Sequence, residues 1–256
     1  MKKKIDIIVE ARTFSTRLPG KVLLKVLNRP LLDLMIERLK LISKIDSIII
    51  ATTINEKDNE IEKLAKNNNV KCFRGSETDV LGRVVMAAKE FKTDIIVQTT
   101  GDNPLVDKNV SEQLINFFIN NYEIYDFVSN DAGIYNSKFK QEFPMGLNTK
   151  VFKSSLLFDV EKKTKNPVDR EHVVNYILKN YQQFKVHDFK AEKIYSRPDL
   201  RFTLDYMEDY KVIKLIFENL YEKNKKFTAI DIFKFLDDNP DIKNLNTNHC
   251  QKKYTY

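Results

Sequence analysis

Short β-branched runs alternate with helix-length amphipathic segments through the first half of the chain, and this alternation limits the possible folds most. Apolar runs predict strands at 5–9, 47–51, 70–73, 94–98 and 125–129. Helical spacing of apolar residues predicts helices near 30–42, 56–67, 79–91 and 109–121. Strands separated by helices of this length form crossover units. The sequence therefore predicts an α/β fold, with a mostly parallel sheet and helices on both faces.

The second half of the chain departs from this rhythm. Residues 130–144 are polar and aromatic, which predicts a loop or a small inserted antiparallel flap. Further helices are predicted at 153–163, 169–181, 206–222 and 228–237, and strands at 184–189 and 201–205. The sequence has no internal repeats and no low-complexity linker, so we predict one domain over 1–238. The polar, Asn- and Lys-rich segment 239–256 is predicted to be a frayed tail.

Charge and hydropathy exclude several classes of protein. The 43 Lys and Arg exceed the 36 Asp and Glu by seven, but the Lys are scattered among acids and no aromatic-basic RNA motif is visible, so we expect no nucleic-acid partner. No apolar run approaches the roughly 20 residues that span a bilayer, so we expect no membrane partner. The Lys-rich start is followed by an apolar stretch that ends at Glu10, and the two Cys are too few for a disulfide framework. We therefore expect a cytoplasmic protein.

The segment Ala11–Lys21 follows the first predicted strand and carries three cations, several hydroxyls and no acid. In an open parallel sheet it lies at the carboxyl edge of the strands, where ligands bind. A triphosphate needs cations, hydroxyl donors and free backbone N–H groups, and a cation about 4 Å from a phosphate oxygen contributes roughly 4 kcal/mol at an effective dielectric of about 20. The spacing is not that of a Walker loop. We predict a phosphate-binding loop, with a solvated basic loop as the alternative.

A second candidate feature is Gly101-Asp102, which comes directly after the strand predicted at 94–98. A carboxylate in this position is held rigidly at the ligand edge of the sheet. Such a hard oxygen ligand suits Mg²⁺, which commonly takes one or two carboxylates together with substrate phosphates. The alternative is that Asp102 caps a helix or forms an Asx turn before Asn103-Pro104.

Five segments together resemble the cytidylyltransferase family, which includes the synthetases of CMP-activated acidic sugars. The first runs from Glu10 to Lys21 and on to Leu32, and is similar to the Q-A-R-M-G-S-T-R-L-P-G-K loop of the SpsF-like spore coat polysaccharide subgroup. The others follow in the family's order over about residues 5–210: 73–81, 100–107, 170–173 and 204–209. The resemblance implies a Rossmann-like nucleotidyltransferase fold, with a nucleotide-binding half near 1–130 and an acceptor and dimerisation half near 131–238.

The resemblance also implies an activity and a set of site residues. CMP would pass from CTP to an acceptor with release of pyrophosphate and with Mg²⁺ as cofactor. The implied catalytic residues are Arg12, Arg17, Lys21 and Asp102, and Asp205 would be the second metal ligand unless it only caps the following helix. Nucleotide-binding roles are implied for Ala11, Arg12, Ser15, Thr16, Arg17, Lys21, Arg74, Ser76 and Gly101.

The acceptor side is less defined. The resemblance implies an acceptor-binding role for Arg170, Glu171 and His172 and an anionic acceptor, either an acidic sugar or a phosphate or phosphonate compound, as well as a homodimer. The alternative for His172 is a structural role. The alternative for Arg74-Gly75-Ser76 is a turn that leads into a capped helix. Arg83 on that helix is interpreted as a surface cation.

Several positions depart from the family pattern. Glu10 replaces Gln, Thr13-Phe14 replace Met-Gly, Gly82 replaces Asp and Gln98 replaces Arg. In 144–148 the usual P-D-G-L-D becomes P-M-G-L-N, so Met145 and Asn148 replace two carboxylates. Because the triphosphate and metal positions persist, we predict nucleotidyl transfer to an altered acceptor. A non-catalytic nucleotide- or nucleotide-sugar-binding protein, or a glycosyltransferase that uses a sugar nucleotide, are the alternatives.

Overall fold

A seven-stranded sheet forms the centre of the computed structural model, which describes residues 2–249. Its strands lie in the order β5-β4-β1-β6-β8-β7-β9, and β2 and β3 form a separate antiparallel hairpin. The strands are β1 Ile5–Glu10, β2 Lys25–Val26, β3 Arg29–Pro30, β4 Ser47–Thr53, β5 Lys71–Gly75, β6 Ile95–Thr100, β7 Phe127–Ser129, β8 Lys150–Lys153 and β9 Val186–Asp188.

The sheet is mostly parallel, as predicted. β1 pairs in parallel with β4 and β6, and β4 with β5, so the carboxyl ends of these strands meet at one edge. β8 runs antiparallel to both β6 and β7. The alternation of the sequence therefore identified the parallel part of the sheet, and the α/β fold is confirmed.

Helices cover both faces of the sheet because successive strand residues point to opposite sides. In β1, Ile7 and Val9 join one core and Ile8 joins the other, and all three are buried. The helices are α1 Leu31–Leu39, α2 Asn59–Asn67, α3 Val80–Glu90, α4 Lys108–Asn120, α5 Ala132–Tyr135, α6 Ser154–Lys163, α7 Pro167–Glu171, α8 Asn175–Lys179, α9 Met207–Leu220, α10 Ala229–Asp237 and α11 Pro240–Lys243. Within 2–249 no helix is both long and apolar enough to span a membrane.

The structure differs from the sequence predictions in four places. Residues 201–205 form no strand, only a single parallel bridge between Arg201 and Met145. Segment 130–144 holds α5 and otherwise loops, as one of the two sequence alternatives predicted. The antiparallel pairing comes from the β2–β3 hairpin and from β8, which the sequence did not predict. The helix predicted at 169–181 is two short helices, α7 and α8.

The fourth difference lies in the C-terminal segment. From 239 to 249 the chain is folded, because α11 and a 3-10 turn at Asn244–Asn246 bring the buried side chain of Asn246 onto the core. The amide of Asn246 donates to the Arg201 carbonyl at 3.0 Å and to Asp209 Oδ1 at 2.9 Å. The expected fraying is therefore wrong up to His249, and residues 250–256 lie outside the described range.

Candidate active site

The loop after β1 is closed on itself and fixed to the core. The backbone N–H of Gly20 donates to the Thr13 carbonyl at 2.8 Å, and Gly20 has a φ of 69°, a left-handed conformation that glycine adopts at little cost. The side chain of Leu18 is buried in the core. Since the two ends and one apolar side chain are fixed, the polar residues of the loop face a cavity at the carboxyl edge of the sheet.

Lys21 joins two carboxylates that are far apart in the sequence. Its Nζ lies 2.8 Å from Asp102 Oδ2 and 3.0 Å from Asp205 Oδ1. Burial alone would lower the pKa of Lys21, but the two carboxylates outweigh burial and raise it, so the ammonium stays charged. The two acidic oxygens therefore converge on one point above the loop.

Asp205 is surrounded by cations. Arg17 Nη2 lies 2.5 Å from its Oδ1, and Arg201 Nη2 lies 2.9 Å from its Oδ2. Burial would raise the pKa of Asp205, but Lys21, Arg17 and Arg201 lower it, so the group is ionised. Arg201 is itself held by Asp209, whose Oδ1 accepts from its Nε at 3.0 Å. The carboxylate is thus fixed by a network from behind while Arg17 and Lys21 approach from the cavity side.

Asp102 is placed by close packing at the end of β6. The backbone N–H of Gly101 donates to the Glu10 carbonyl at 2.8 Å. A Cβ at position 101 would lie 3.0 Å from Ala11 Cβ and 3.2 Å from the Glu10 carbonyl oxygen, so only glycine fits without movement. Thr100 Oγ1 donates to Asp102 Oδ1 at 2.5 Å and fixes the rotamer of the carboxylate.

The cavity has a volume of about 460 Å³ and holds most of the predicted site residues. Its lining includes Ala11, Arg12, Ser15, Thr16, Arg17, Lys21, Gly101, Asp102, Glu171, His172 and Asp205. The structure therefore brings together the loop, the two acids and part of the predicted acceptor segment. Arg74, Ser76 and Arg170 are not among the described residues that line it.

Arg74 points away from the cavity to the outer edge of the sheet. Its guanidinium donates to the carbonyls of Thr53 at 2.9 Å and Asn55 at 2.8 Å, and it lies 2.6 Å from Glu62 of α2. Its side chain joins β4, β5 and α2. The carbonyl of Ser76 accepts from Arg83 at 2.5 Å, so this turn contributes to the site through another residue.

Arg170 also lies outside the cavity, where it ties α7 to α3. It makes two hydrogen bonds to the carboxylate of Asp79, and its Nη1 lies 3.1 Å from Glu161 Oε1. A Cβ at Gly82 would overlap this Asp79 carboxylate. The departure of Gly82 from the family's Asp therefore leaves room for the Arg170–Asp79 pair.

The predicted acceptor residues Glu171 and His172 line the cavity beside Arg12. Arg12 Nη1 donates to the Glu77 carbonyl at 2.9 Å, and its Nη2 lies 3.6 Å from Glu171 Oε1. The pKa of His172 is lowered, chiefly by burial, so its imidazole is neutral near pH 7. A neutral ring next to a cationic loop can contact a ligand without adding charge.

The cavity floor is a buried row of polar side chains, most of which the sequence did not predict as site residues. Gln98 of β6 donates its amide to Glu10 of β1, so two departures from the family pattern contact each other. Burial raises the pKa of Glu10. The hydrogen bond from Gln98 and the nearby cations lower it by less, so the pKa is raised overall. Gln98 Oε1 and Asp131 Oδ1 are buried without a hydrogen-bond partner among the described residues.

The floor continues across β8 to the loop after β7. Lys150 Nζ lies 2.8 Å from Asp131 Oδ2, and both side chains are buried. Asn148 Nδ2 donates to the same oxygen at 3.1 Å, a bond that the family's aspartate could not donate. The β-branched and aromatic pair Val151-Phe152 was the signal that could have predicted β8 and thereby Lys150.

Arg83 is part of the site and not the surface cation that the sequence suggested. It is only 3% exposed and lines the cavity from α3. Burial lowers the pKa of its guanidinium, and the nearby carboxylates of Glu10, Asp58 and Asp79 oppose this effect. The helix turns this position inward because Val80 and Ala87, three residues before it and four after it, lie on the same side of α3 and are buried.

The donor set at Asp102 and Asp205 suits a magnesium ion that also contacts substrate. Both groups are carboxylates, the hard oxygen ligands that Mg²⁺ prefers, and their oxygens converge on the Lys21 ammonium. Within residues 2–249, no group of three or more His, Cys, Asp or Glu side chains is placed to hold a metal by itself. A magnesium ion here therefore needs phosphate or water oxygens to complete its coordination.

Comparisons with known proteins agree with this geometry. The model of the cytidylyltransferase family matches residues 7–250. The chain is 30% identical to the spore coat polysaccharide biosynthesis protein SpsF of Bacillus subtilis, over 91% of this chain and 94% of that protein. It is 39% identical to an uncharacterised protein of Methanocaldococcus jannaschii over 98% of both chains. The solved structure of a cytidylyltransferase from Leptospira borgpetersenii superposes with a TM-score of 0.88 at 32% identity, covering 97% of this chain and 99% of that one.

The parallel sheet and the cationic loop at its carboxyl edge, together with these matches, define a nucleotidyltransferase. This chain belongs to the cytidylyltransferase family, which confirms the resemblance found in the sequence.

Proposed function

We propose that this protein transfers CMP from CTP to an anionic acceptor, with Mg²⁺ as cofactor and pyrophosphate as leaving group. One observation supports this most directly: Arg17 and Lys21 stand on the cavity side of two converging carboxylates. Such cations are available to exchange their carboxylate partners for phosphate oxygens when a triphosphate enters.

The chain's own residues suffice to bind and orient the triphosphate. Arg12, Arg17 and Lys21 supply positive charge, and Ser15 and Thr16 supply hydroxyl donors on the same side of the cavity. Arg17 and Lys21, at the carboxylates, are suited to steady the leaving pyrophosphate. Pre-placed cations of this kind stabilise charge that develops on the leaving group.

Asp102 and Asp205 would hold the magnesium ion, consistent with their converging oxygens. When bound, Mg²⁺ neutralises charge on the α-phosphate in the transition state, an effect worth several kcal/mol. Lys21 Nζ lies at the point where these carboxylates converge, and a triphosphate in the cavity would offer it phosphate oxygens as alternative partners.

The acceptor would lie over the polar floor. An anionic oxygen that attacks the α-phosphate requires no strong base, consistent with a neutral His172 beside Arg12. Gln98 Oε1 and Asp131 Oδ1 lack partners in the described structure, and hydroxyl donors of a sugar would satisfy both. Among anionic acceptors the floor thus favours an acidic sugar over a small phosphonate. The name of SpsF supports a place in surface polysaccharide biosynthesis for this chain.

The test is pyrophosphate release from CTP and Mg²⁺ with a panel of acidic sugars and of phosphate and phosphonate compounds. We expect release with CTP and with one class of acceptor, lower rates with ATP, GTP and UTP, and much slower release with Lys21→Met. CTP binding without product from any acceptor would favour the non-catalytic alternative. Turnover of a nucleotide sugar in the absence of CTP would favour a glycosyltransferase.

Location and assembly complete the proposal. We expect a homodimer, as the family resemblance implies, and a cytoplasmic location, as the sequence composition predicts. Light scattering coupled to size-exclusion chromatography measures the oligomeric state, and fractionation of the native cell measures the location.

A further inference from the structure

Thr13 is anchored to a buried carboxylate behind the phosphate loop. Its backbone N–H and its Oγ1 both donate to Asp58 Oδ1, each at 2.7 Å. The other carboxylate oxygen of Asp58 accepts from the hydroxyl of Thr53, the last residue of β4. Asp58 therefore connects the start of the loop to the end of the neighbouring strand.

Asp58 is built into the fold as an anion. It is 2% exposed and is the last residue of a short 3-10 turn, Glu56–Asp58, before α2. Burial would raise the pKa of Asp58, but the hydrogen bonds from Thr13 and Thr53 outweigh burial and lower it. The carboxylate needs these donors, because an unpartnered buried charge is costly.

The anchored residue controls the geometry of the loop. The carbonyl of Thr13 accepts from Gly20 N, so one residue is bonded both to the core and to the far end of the loop. The residues between these points include Ser15, Thr16 and Arg17, which line the cavity, whereas Thr13 does not. A shift of Thr13 therefore displaces several phosphate-binding groups at once.

We propose that Asp58 and Thr13 are positioning residues that hold the phosphate loop in its CTP-binding conformation before the nucleotide arrives. This inference rests on the proposed function, since it concerns the same loop. It also gives a reason for Thr13 at a position where the family pattern has Met, because Met has no hydroxyl to donate to the carboxylate.

Loss of the anchor should weaken binding more than chemistry. If CTP must order the loop, part of the binding free energy is used to order it. The affinity for the nucleotide and the affinity for the transition state then fall by the same factor. Such a uniform loss raises KM and leaves kcat unchanged. A merely structural role would lower thermal stability without this separation.

The chain offers a matched control at the opposite end of β1. Asp6 is buried there, and its oxygens accept from Thr93 Oγ1 at 2.6 Å and from Ser47 Oγ at 2.6 Å. This carboxylate also bridges two hydroxyls, but it lies at the amino end of the strand, away from the cavity. Thr93→Val and Asp6→Asn therefore remove equivalent hydrogen bonds without touching the loop.

The experiment measures CTP affinity by calorimetry, steady-state kinetics in CTP and melting temperature for each variant. For Thr13→Val we expect the Kd and KM for CTP to rise roughly three- to tenfold, with kcat within about twofold of wild type. Thr13→Ser keeps the hydroxyl and should restore wild-type affinity. Asp58→Asn should raise Kd further, since its amide turns a donor toward Thr13 or Thr53.

The controls decide between positioning and stability. Thr93→Val and Asp6→Asn should lower the melting temperature with CTP affinity unchanged. If Thr13→Val lowers only the melting temperature, as the controls do, or if Thr13→Ser fails to restore affinity, the inference is wrong. Should Asp58→Asn fail to fold, the Thr13 pair decides. If wild-type protein does not bind CTP at all, the proposed function fails first.

Discussion

The ammonium of Lys21 lies 3.0 Å from Asp205 Oδ1, although 184 residues separate them. The loop that carries Lys21 follows the first strand, and Asp205 precedes α9 near the end of the domain. Their contact forms part of the cavity lining and joins two segments that are far apart in the sequence. Because the ion pair is mostly buried, it competes directly with any anion that enters the site.

We expect Lys21→Met to weaken CTP binding roughly 10- to 100-fold, because hydrogen bonds to charged groups contribute about 1.5–3 kcal/mol. Calorimetry with CTP measures this loss. Lys25→Met is the control, since Lys25 is an exposed residue of β2 near the loop. Equal affinity of the Lys21 variant and the wild type would contradict the triphosphate assignment.

Asp102→Asn and Asp205→Asn should mainly lower turnover, by about 100-fold or more, because each removes an anionic ligand proposed for magnesium. The required Mg²⁺ concentration should rise in both variants, and chelation should abolish wild-type activity. Titration of the rate with Mg²⁺ measures the effect. Unchanged magnesium dependence in both variants would exclude these carboxylates as metal ligands.

Glu10→Gln should stabilise the protein at neutral pH more than at acidic pH. Burial raises the pKa of Glu10 in the folded state above its ordinary value of 4.5, so folding favours the protonated form. The wild type is therefore destabilised progressively as the pH rises from about 4.5 through the raised pKa, and the neutral Gln is not. Urea unfolding of both proteins across this range measures the difference, and a constant difference would contradict the prediction.

Asn246→Ala should destabilise the protein by about 1–3 kcal/mol, because it removes the side-chain donor to the Arg201 carbonyl and one of the donors to Asp209 Oδ1. Since Arg201 holds Asp205, we also expect a modest loss of turnover. Urea unfolding and pyrophosphate release measure the two effects. Asn248→Ala, at an exposed position of the same segment, should be neutral. Equal behaviour of both variants would show that the C-terminal segment does not support the site.

Arg74→Ala tests whether Arg74 binds nucleotide, as the sequence predicted, or stabilises the sheet edge, as its position in the structure indicates. Because its guanidinium binds Thr53 and Asn55 at the sheet edge, we expect a stability loss of about 1–2 kcal/mol and no change in KM for CTP. Arg12→Ala, by contrast, should raise this KM roughly tenfold or more. A raised KM for Arg74→Ala would support the sequence prediction.

Local sequence patterns were sufficient for the architecture and for the loop. β-branched runs and amphipathic periods reflect burial on one or both faces of each element, and this information lies within a few neighbouring residues. Thus β1, β4 and α3 were found close to their observed bounds. The loop was identified because cations, hydroxyls, Pro19 and Gly20 follow a strand directly.

Contacts between distant segments were decided only by the tertiary structure. Lys21 bridges Asp102 and Asp205 because sheet order places the ends of β1 and β6 side by side and returns residue 205 to the same edge. The direction of Arg74 and the burial of Arg83 depend on which neighbours pack against β5 and α3. The sequence sets the chemical type of each side chain. Its partners depend on how elements far apart in the chain pack together, and these partners determine its charge, exposure and role.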